Sequence, residues 1–324
     1  MKNDIRWGII GCGDVTEIKS GPAFQQVNGS SLVAVMRRNG TLARDYARRH
    51  HVKKWYDDAQ QLIDDPEVNA VYIATPPSSH KDYTIAVAKA GKPVYVEKPM
   101  ALNHNECEQM IQACRNRNVP LFVAYYRRAL PRFIKVKSLL QEGAIGKTRL
   151  VNVTFFQKTS QNDMQGVYNW RIDPIIAGGG YFYDLACHSI DILQFFFGEI
   201  KIVKGHASNQ QNVYDAEDIV SGLLLFENLI HVSYVWNFNA YTNLDRTEIV
   251  GDKGKINFST FDNSPILLES KQGNQQFNIE NPRNIQQPLI QTVADELRGR
   301  GQCPSTGLTA AKTNWVMDSM QFED

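Results

Sequence analysis

Short apolar runs alternate along the first third of the chain with segments whose apolar residues recur every three or four positions. The runs are Ile5–Ile10, Ser31–Met36, Ala70–Ala74, Pro93–Glu97 and Pro120–Ala124. The periodic segments are Thr41–His50, Lys81–Ala90 and Asn103–Asn116, with Leu42, Tyr46 and Ala47 on one face of the first. A continuous apolar run fits a strand buried on both faces, and the intervening helices supply the cover. Gly91 stands where a helix ending at Ala90 needs a left-handed residue. The pattern predicts an α/β fold, with a Rossmann doubly wound parallel sheet over 1–124.

Beyond Ala124 the pattern changes. A helix is predicted over Pro131–Gln141, then strands at Arg149–Gln157, Ile200–Ala207, Asp218–Phe226, His231–Phe238, Thr247–Val250 and Lys255–Phe258. Consecutive strands with few helices predict a C-terminal α+β domain, 125–324, with a mostly antiparallel sheet. Lys271–Asn284, rich in Gln and Asn, reads as a hairpin or loop. Gln291–Arg298 reads as a helix closing the second domain, and Thr309–Met320 as a last helix that fits either domain.

Composition narrows the classes. The 324 residues suit two domains, and 35 Lys+Arg against 34 Asp+Glu give a net charge of +1. That balance argues against a nucleic-acid or membrane-surface binder. No stretch approaches the roughly 20 apolar residues of a membrane span. Met1-Lys2-Asn3-Asp4 runs straight into the first strand without a secretory pattern, and five cysteines lack metal-ligand spacing. Free thiols in a reducing cytoplasm are the resulting expectation.

The first strand ends in Gly11-x-Gly13-x-x-Thr16. In a dinucleotide fold the first glycine makes the tight turn, and the second admits the pyrophosphate to the backbone. A plain turn would also favour glycine. Placement between the first strand and a following helical segment favours the cofactor loop. Thr16 departs from the expected small residue. Pro22 reads as opening a second helical turn after Gly21.

The second strand ends in Met36-Arg37-Arg38-Asn39, where an acid would hold the ribose 2′-hydroxyl of NAD. Two guanidinium groups instead suit a 2′-phosphate, so NADP is preferred and NAD remains possible. The alternative is a solvated loop with Asn39 as a helix cap.

Lys98 follows the strand Val94–Glu97, at the end of a parallel strand where ligands bind. It reads equally as a surface lysine before Pro99. Asp184, His188 and Asp191 recur at i, i+4 and i+7 after the flexible lead-in Gly178–Gly180. A carboxylate and an imidazole on one face of an apolar helix suit acid–base chemistry, because imidazole ordinarily titrates near neutrality. An internally satisfied pair is the alternative. One histidine and two aspartates on one helix make a poor zinc site, so no metal is expected.

Taken together, the glycine turn, Ala74-Thr75-Pro76-Pro77 with His80, Glu97-Lys98-Pro99, and Trp170-Arg171 through Gly180, Asp184 and His188 resemble the glucose–fructose oxidoreductase/inositol dehydrogenase (Gfo/Idh/MocA) family. The resemblance runs from Ile5 to about Gly254. It implies hydride transfer between a nicotinamide cofactor and a secondary alcohol of a sugar or cyclic polyol. His188 would be the acid or base, Lys98 would stabilise charge on the reacting oxygen, and Asp184 would orient substrate or tune the histidine. Gly11, Gly13, Asp14, Val15, Arg37, Arg38, Thr75, Pro76, His80, Glu97, Lys98, Trp170 and Arg171 would contact cofactor. Lys98, Tyr168, Asp184 and His188 would contact substrate, with the loop Thr159–Asn169 setting specificity. The resemblance also implies an open second sheet whose free face forms a homodimer or homotetramer. Two other activities occur on such a scaffold: an NAD-dependent glycosidase using transient redox, and a non-catalytic dinucleotide-binding regulator. Arg37-Arg38 speaks against the first, and the set Lys98, Asp184 and His188 against the second. Arg127, Arg128 and Arg132 read as a solvated loop, with an anionic substrate as the alternative. His50, His51 and His206 receive no role.

Overall fold

The computed structural model describes residues 4–321; Met1–Asn3 of the expected lead-in lie outside them. The chain divides into two compact units, one running up to Leu130 with Pro282–Lys312, the other Pro131–Asn281 with the chain from Thr313 on.

The first unit is built on six parallel strands: β1 Ile5–Ile10, β2 Ser30–Met36, β3 Lys54–Tyr56, β4 Ala70–Ile73, β5 Val94–Val96 and β6 Leu121–Val123. Their order is β3-β2-β1-β4-β5-β6. The winding reverses between β1 and β4, which opens a crevice at the carboxyl ends of the strands. The core beneath is aromatic. Trp7 lies 4.9 Å from Phe24, Phe24 5.2 Å from Tyr72, and Tyr72 stacks on Tyr95 at 4.9 Å. The first helix stops at Ile18, and Pro22 opens a separate 3₁₀ turn, Gly21–Gln25. β3 and the helix Ala59–Asp64, capped by Asp58, lie in a stretch without a predicted element.

The segment 282–312 corrects the expected domain boundary. Ser305 closes the β6 edge: its Oγ–H donates to the Val123 carbonyl at 2.7 Å, and its own carbonyl accepts from Val123 N at 3.3 Å. Upstream, the Asn284 amide donates to the Ile18 carbonyl at 2.5 Å. The helix Gln287–Leu297 thus belongs with the dinucleotide half, since its flanks satisfy that half's open backbone groups. The last helix, Gly307–Gln321, contains the division between the units.

The second unit carries eight strands: β7 Thr148–Phe156, β8 Ile200–Ser208, β9 Ile219–Phe226, β10 His231–Asn237, β11 Leu244–Gly251, β12 Gly254–Phe258, β13 Ile266–Ser270 and β14 Gly273–Phe277. The order is β14-β13-β12-β11-β7-β10-β9-β8, antiparallel except between β7 and β10. Alternation sorts the faces. Val151, Val153, Phe155, Tyr234, Trp236 and Ile249 are buried, while Leu150, Leu223 and Val235 point outward. Within the Gln/Asn-rich stretch read as a hairpin or loop, Gly273–Phe277 is the second arm of the hairpin β13–β14.

The arginines read as a solvated loop are buried: Arg127 and Arg128 are 5% exposed and Arg132 is 3%. Arg128 donates to the Pro304 carbonyl at 2.9 Å. Arg132 donates to the carbonyls of Ser259 at 3.2 Å, Ser264 at 2.9 Å and Asp262. A guanidinium offers five donors in a rigid fork, which a turn rich in carbonyls can occupy. All five cysteines are buried and lie outside any disulfide. Among the described residues, no helix is long and apolar enough to cross a membrane, and no cluster of three or more His, Cys, Asp or Glu could hold a metal.

Candidate active site

In the first unit, the loops after β1, β2, β4 and β5 collect the sequence-predicted residues at one edge of the sheet. Gly11 adopts φ +90°, and a Cβ there would meet Thr75 Cγ2 at 2.7 Å and the Ala74 carbonyl oxygen at 3.0 Å. The turn after β1 is therefore pressed against the turn after β4, and only glycine fits. Gly13 is different: the nearest atom to a Cβ there is 3.9 Å away. Its backbone faces open space, as close approach of a pyrophosphate requires. Thr16 replaces the usual small residue by closing the turn. Its hydroxyl accepts the Gly13 N–H at 3.0 Å and donates to the Gly13 carbonyl at 2.8 Å. Asp14 is exposed, and Val15, Thr75 and Pro76 are half-buried.

Arg37 and Arg38 are both exposed at the end of β2. Neither guanidinium has an ion pair or hydrogen bond among the described residues. Asn39 caps the next helix, accepting from Leu42 N at 3.2 Å. At the far end of that helix Arg49 forks onto Glu17 at 2.7 and 2.8 Å and holds its carboxyl down at about 2. His50 lies 2.8 Å from Glu17 and stacks on Tyr46, so it completes a surface network. An open glycine backbone at the switch point, with two unengaged guanidinium groups at the end of β2, fits a nicotinamide dinucleotide.

Lys98 is half-buried at the end of β5. Two neighbours expected to contact cofactor, Glu97 and His80, carry internal hydrogen bonds. Glu97 is 5% exposed, and its carboxylate accepts from Tyr72, Gln286 and the Lys98 N–H. His80 is fully buried, with one ring nitrogen facing the Thr75 carbonyl at 2.7 Å and the other those of Pro99 and Met100 at 3.1 and 3.2 Å. Burial lowers its pKa. Both side chains brace the loops and do not face open space.

In the second unit, Asn169 caps the short turn Trp170–Ile172, and the Arg171 guanidinium lies 4.6 Å over the Trp170 ring. Arg171 Nε is 3.4 Å from Asp184 Oδ2. The segment holding Asp184 is not regular α-helix. Phe182–Ala186 forms a π-helical turn, and the α-helix Cys187–Phe197 follows. The wider turn shifts Asp184 from the strict i, i+4 register with His188; such turns recur at functional sites. Asp184 stays half-buried, whereas His188 is 3% and Asp191 1% exposed. The His188 ring lies 6.2 Å from Phe261, edge to face. Gly179 and Gly180 form a close-packed joint, not a flexible lead-in: a Cβ on Gly180 would meet the Glu217 carbonyl oxygen at 2.8 Å, and its N–H donates to Glu217 Oε1 at 2.8 Å. Tyr168 is 75% exposed. Nearby, buried Asp163 accepts from the Tyr181 hydroxyl at 2.7 Å. Sequence reasoning missed Gln286, Tyr72 and Phe261, since no local pattern links them to Glu97 or His188.

Comparison with known proteins places both halves. Residues 5–125 match the oxidoreductase family with an NAD-binding Rossmann fold, and 133–257 match the GFO/IDH/MocA C-terminal domain. The chain is 42% identical to oxidoreductase P35 of Formosa agariphila over 319 residues, 98% of each chain. It is 26% identical to a myo-inositol 2-dehydrogenase of Thermotoga maritima, over 83% of this chain and 79% of that one. An aldose-aldose oxidoreductase of Caulobacter crescentus, solved with glycerol, matches the fold with a TM-score of 0.87 at 23% identity, covering 98% of this chain and 96% of its own. A levoglucosan dehydrogenase in complex with NADH and levoglucosan matches at 0.85 and 23%, with the same coverage. On both halves of its length, therefore, the chain belongs to the Gfo/Idh/MocA family of NAD(P)-binding oxidoreductases.

Proposed function

We propose that the protein transfers a hydride between NADP(H) and a secondary alcohol or ketone on a small sugar or cyclic polyol. The observation that carries the reading is the placement of Lys98 at the end of β5, on the sheet edge that holds the open Gly13 backbone. Bound nicotinamide supplies the hydride acceptor or donor. Lys98 donates a hydrogen bond to the reacting oxygen and stabilises negative charge as it develops. His188 takes the hydroxyl proton in oxidation and returns it in reduction. Asp184, held by Arg171, orients a neighbouring substrate hydroxyl, and Tyr168 on its exposed loop contributes to selection. Arg37 and Arg38 favour NADP, because two unengaged guanidinium groups can fork onto a 2′-phosphate. The names of the relatives support a hydroxylated ring as substrate: myo-inositol for one, levoglucosan for another.

Two further features complete the reading. The outward sheet face, with Leu150, Leu223 and Val235 exposed, is the self-association surface of a homodimer or homotetramer. Five buried cysteines outside any disulfide suit the reducing cytoplasm. The test is an absorbance screen of sugars, inositols, sugar lactones and dicarbonyls with both cofactors. Turnover of one class with NADP(H), abolished in Lys98→Ala and His188→Ala, is expected. A Lys98→Ala protein that binds NADPH and still turns over would overturn the mechanism.

A further inference from the structure

Lys98 is held from both sides by buried side chains that do not themselves face the crevice. On the near side is Glu97. Its Oε1 accepts from the Tyr72 hydroxyl at 2.5 Å and from Gln286 Nε2 at 2.6 Å, and its Oε2 accepts the Lys98 N–H at 3.1 Å. Gln286 is fully buried and lies 189 positions away in sequence. Its own Oε1 accepts from the Tyr95 hydroxyl at 3.1 Å, which fixes which end of the amide faces Glu97. On the far side, the His80 ring spans the Thr75 carbonyl and those of Pro99 and Met100. The peptide from which the lysine side chain projects is thus bonded to Glu97 before it and packed against the His80 ring after it.

We propose that Gln286 is a positioning residue for Lys98, acting through Glu97, with Tyr72 sharing that role and His80 holding the following loop. The inference rests on the reading of Lys98 as the group that meets the reacting oxygen. A buried carboxylate is costly unless its lone pairs meet donors, and three donors also fix its direction. Without the Gln286 amide, Glu97 must turn to another donor, which weakens its hold on the Lys98 N–H. The ammonium then samples a wider range of positions, and alignment lost by about an ångström is expensive in a site that works by placing groups. Gln286 comes from the C-terminal segment that docks on this unit, so that segment helps to assemble the catalytic strand end.

The test is hydrogen exchange at the Lys98 amide, which needs no substrate. In Gln286→Leu it should exchange about tenfold faster or more, as loss of a buried bond to a charged group implies. The Tyr95 and Val96 amides of β5 should keep their protection. The NADPH dissociation constant should move by less than about threefold, while kcat on the alcohol found by the screen falls about tenfold at nearly constant KM. Tyr72→Phe removes one donor without a change of shape and should move exchange and kcat the same way by less. Unchanged Lys98 exchange in a folded Gln286→Leu protein overturns the inference. Should that variant not fold, unchanged exchange in Tyr72→Phe overturns it equally. The outcome is separable from the role of Lys98: turnover surviving Lys98→Ala would remove the catalytic reading, whereas exchange reports the backbone tether alone.

Discussion

Arg171 Nε lies 3.4 Å from Asp184 Oδ2, and the arginine is the more exposed partner, 43% against 16% for their side chains. An exposed pair of this kind contributes little to stability, about 0–1 kcal/mol. Its value lies in where it holds the carboxylate. Arg171→Ala should leave the melting temperature nearly unchanged and raise substrate KM about tenfold, the cost of a mis-aimed hydrogen bond to a charged group. NADPH affinity separates this role from direct cofactor contact. A dissociation constant that rises with KM would make Arg171 a cofactor ligand instead.

The two glycines of the first turn should fail in opposite ways. Gly11→Ala sets a Cβ 2.7 Å from Thr75 Cγ2 at φ +90°, and should destabilise the fold by about 1–3 kcal/mol. Gly13→Ala meets nothing closer than 3.9 Å, so the protein should fold as before. The added methyl then occupies the space a pyrophosphate needs, and NADPH affinity should drop about tenfold or more. Thermal melts beside fluorescence titration distinguish the pair. A Gly13→Ala protein with normal affinity would show that the loop is only a turn.

The dinucleotide half was legible because its central strands are buried on both faces and therefore read as unbroken apolar runs, as in Val71–Ile73 and Val94–Val96. β3 escaped notice because an edge strand of three residues, Lys54-Trp55-Tyr56, carries no such run. The return of 282–312 was illegible for a different reason. It depends on bonds such as Gln286 to Glu97, which join positions far apart and leave no periodic trace. Arg132 was misread because a charge run looks the same whether it faces water or is spent on three carbonyls. At Asp184 the apolar period gave helix correctly, but a single π turn within it shifts the register in a way that hydrophobicity does not record.

Cofactor choice should follow the end of β2. Neither Arg37 nor Arg38 has an ion-pair partner among the described residues to compete with a phosphate. Replacing either by Ala should weaken NADP binding about tenfold, and both together by about a hundredfold, with NAD binding little changed. Arg37→Asp should turn the preference toward NAD. Equal affinity for both cofactors before and after substitution would remove the arginines from the argument.

The Glu17–Arg49 pair predicts a narrow acid dependence. Hydrogen bonding from Arg49 takes the Glu17 pKa from 4.5 to about 2. Because the folded value lies below the unfolded one, the ionised group stabilises the protein above about pH 4.5. That contribution is lost as pH falls toward about 2. The Glu17 side chain is 34% exposed, so solvent screening limits the contribution to about 1 kcal/mol or less. Urea unfolding of the wild type and Arg49→Met should therefore differ at pH 6, with the gap narrowing below about pH 4.5 and closing only as pH falls through about 2. A constant difference across that window would assign the stabilisation to the Arg49 guanidinium over the Tyr46 ring, 5.7 Å from its centroid.

The loop 259–264 should prove to be what holds the wall beside His188. Arg132 donates to its carbonyls from one side, and Asp245 accepts the N–H groups of Thr260 and Phe261 at 3.0 and 2.7 Å from the other. Phe261, so fixed, stands 6.2 Å from His188 and 5.0 Å from Phe155. Arg132→Met removes the fork and leaves the buried Ser259 carbonyl unmet, which should cost about 1–3 kcal/mol. Arg132→Lys should rescue only part of this, since one ammonium cannot reproduce a planar fork. Phe261→Leu should keep most of the stability and still lower kcat, because the histidine loses the flat surface that limits its rotation. If Phe261→Leu matches the wild type in kcat and pH profile while Arg132→Met remains active once folded, the loop is a structural clasp with no bearing on the acid–base step.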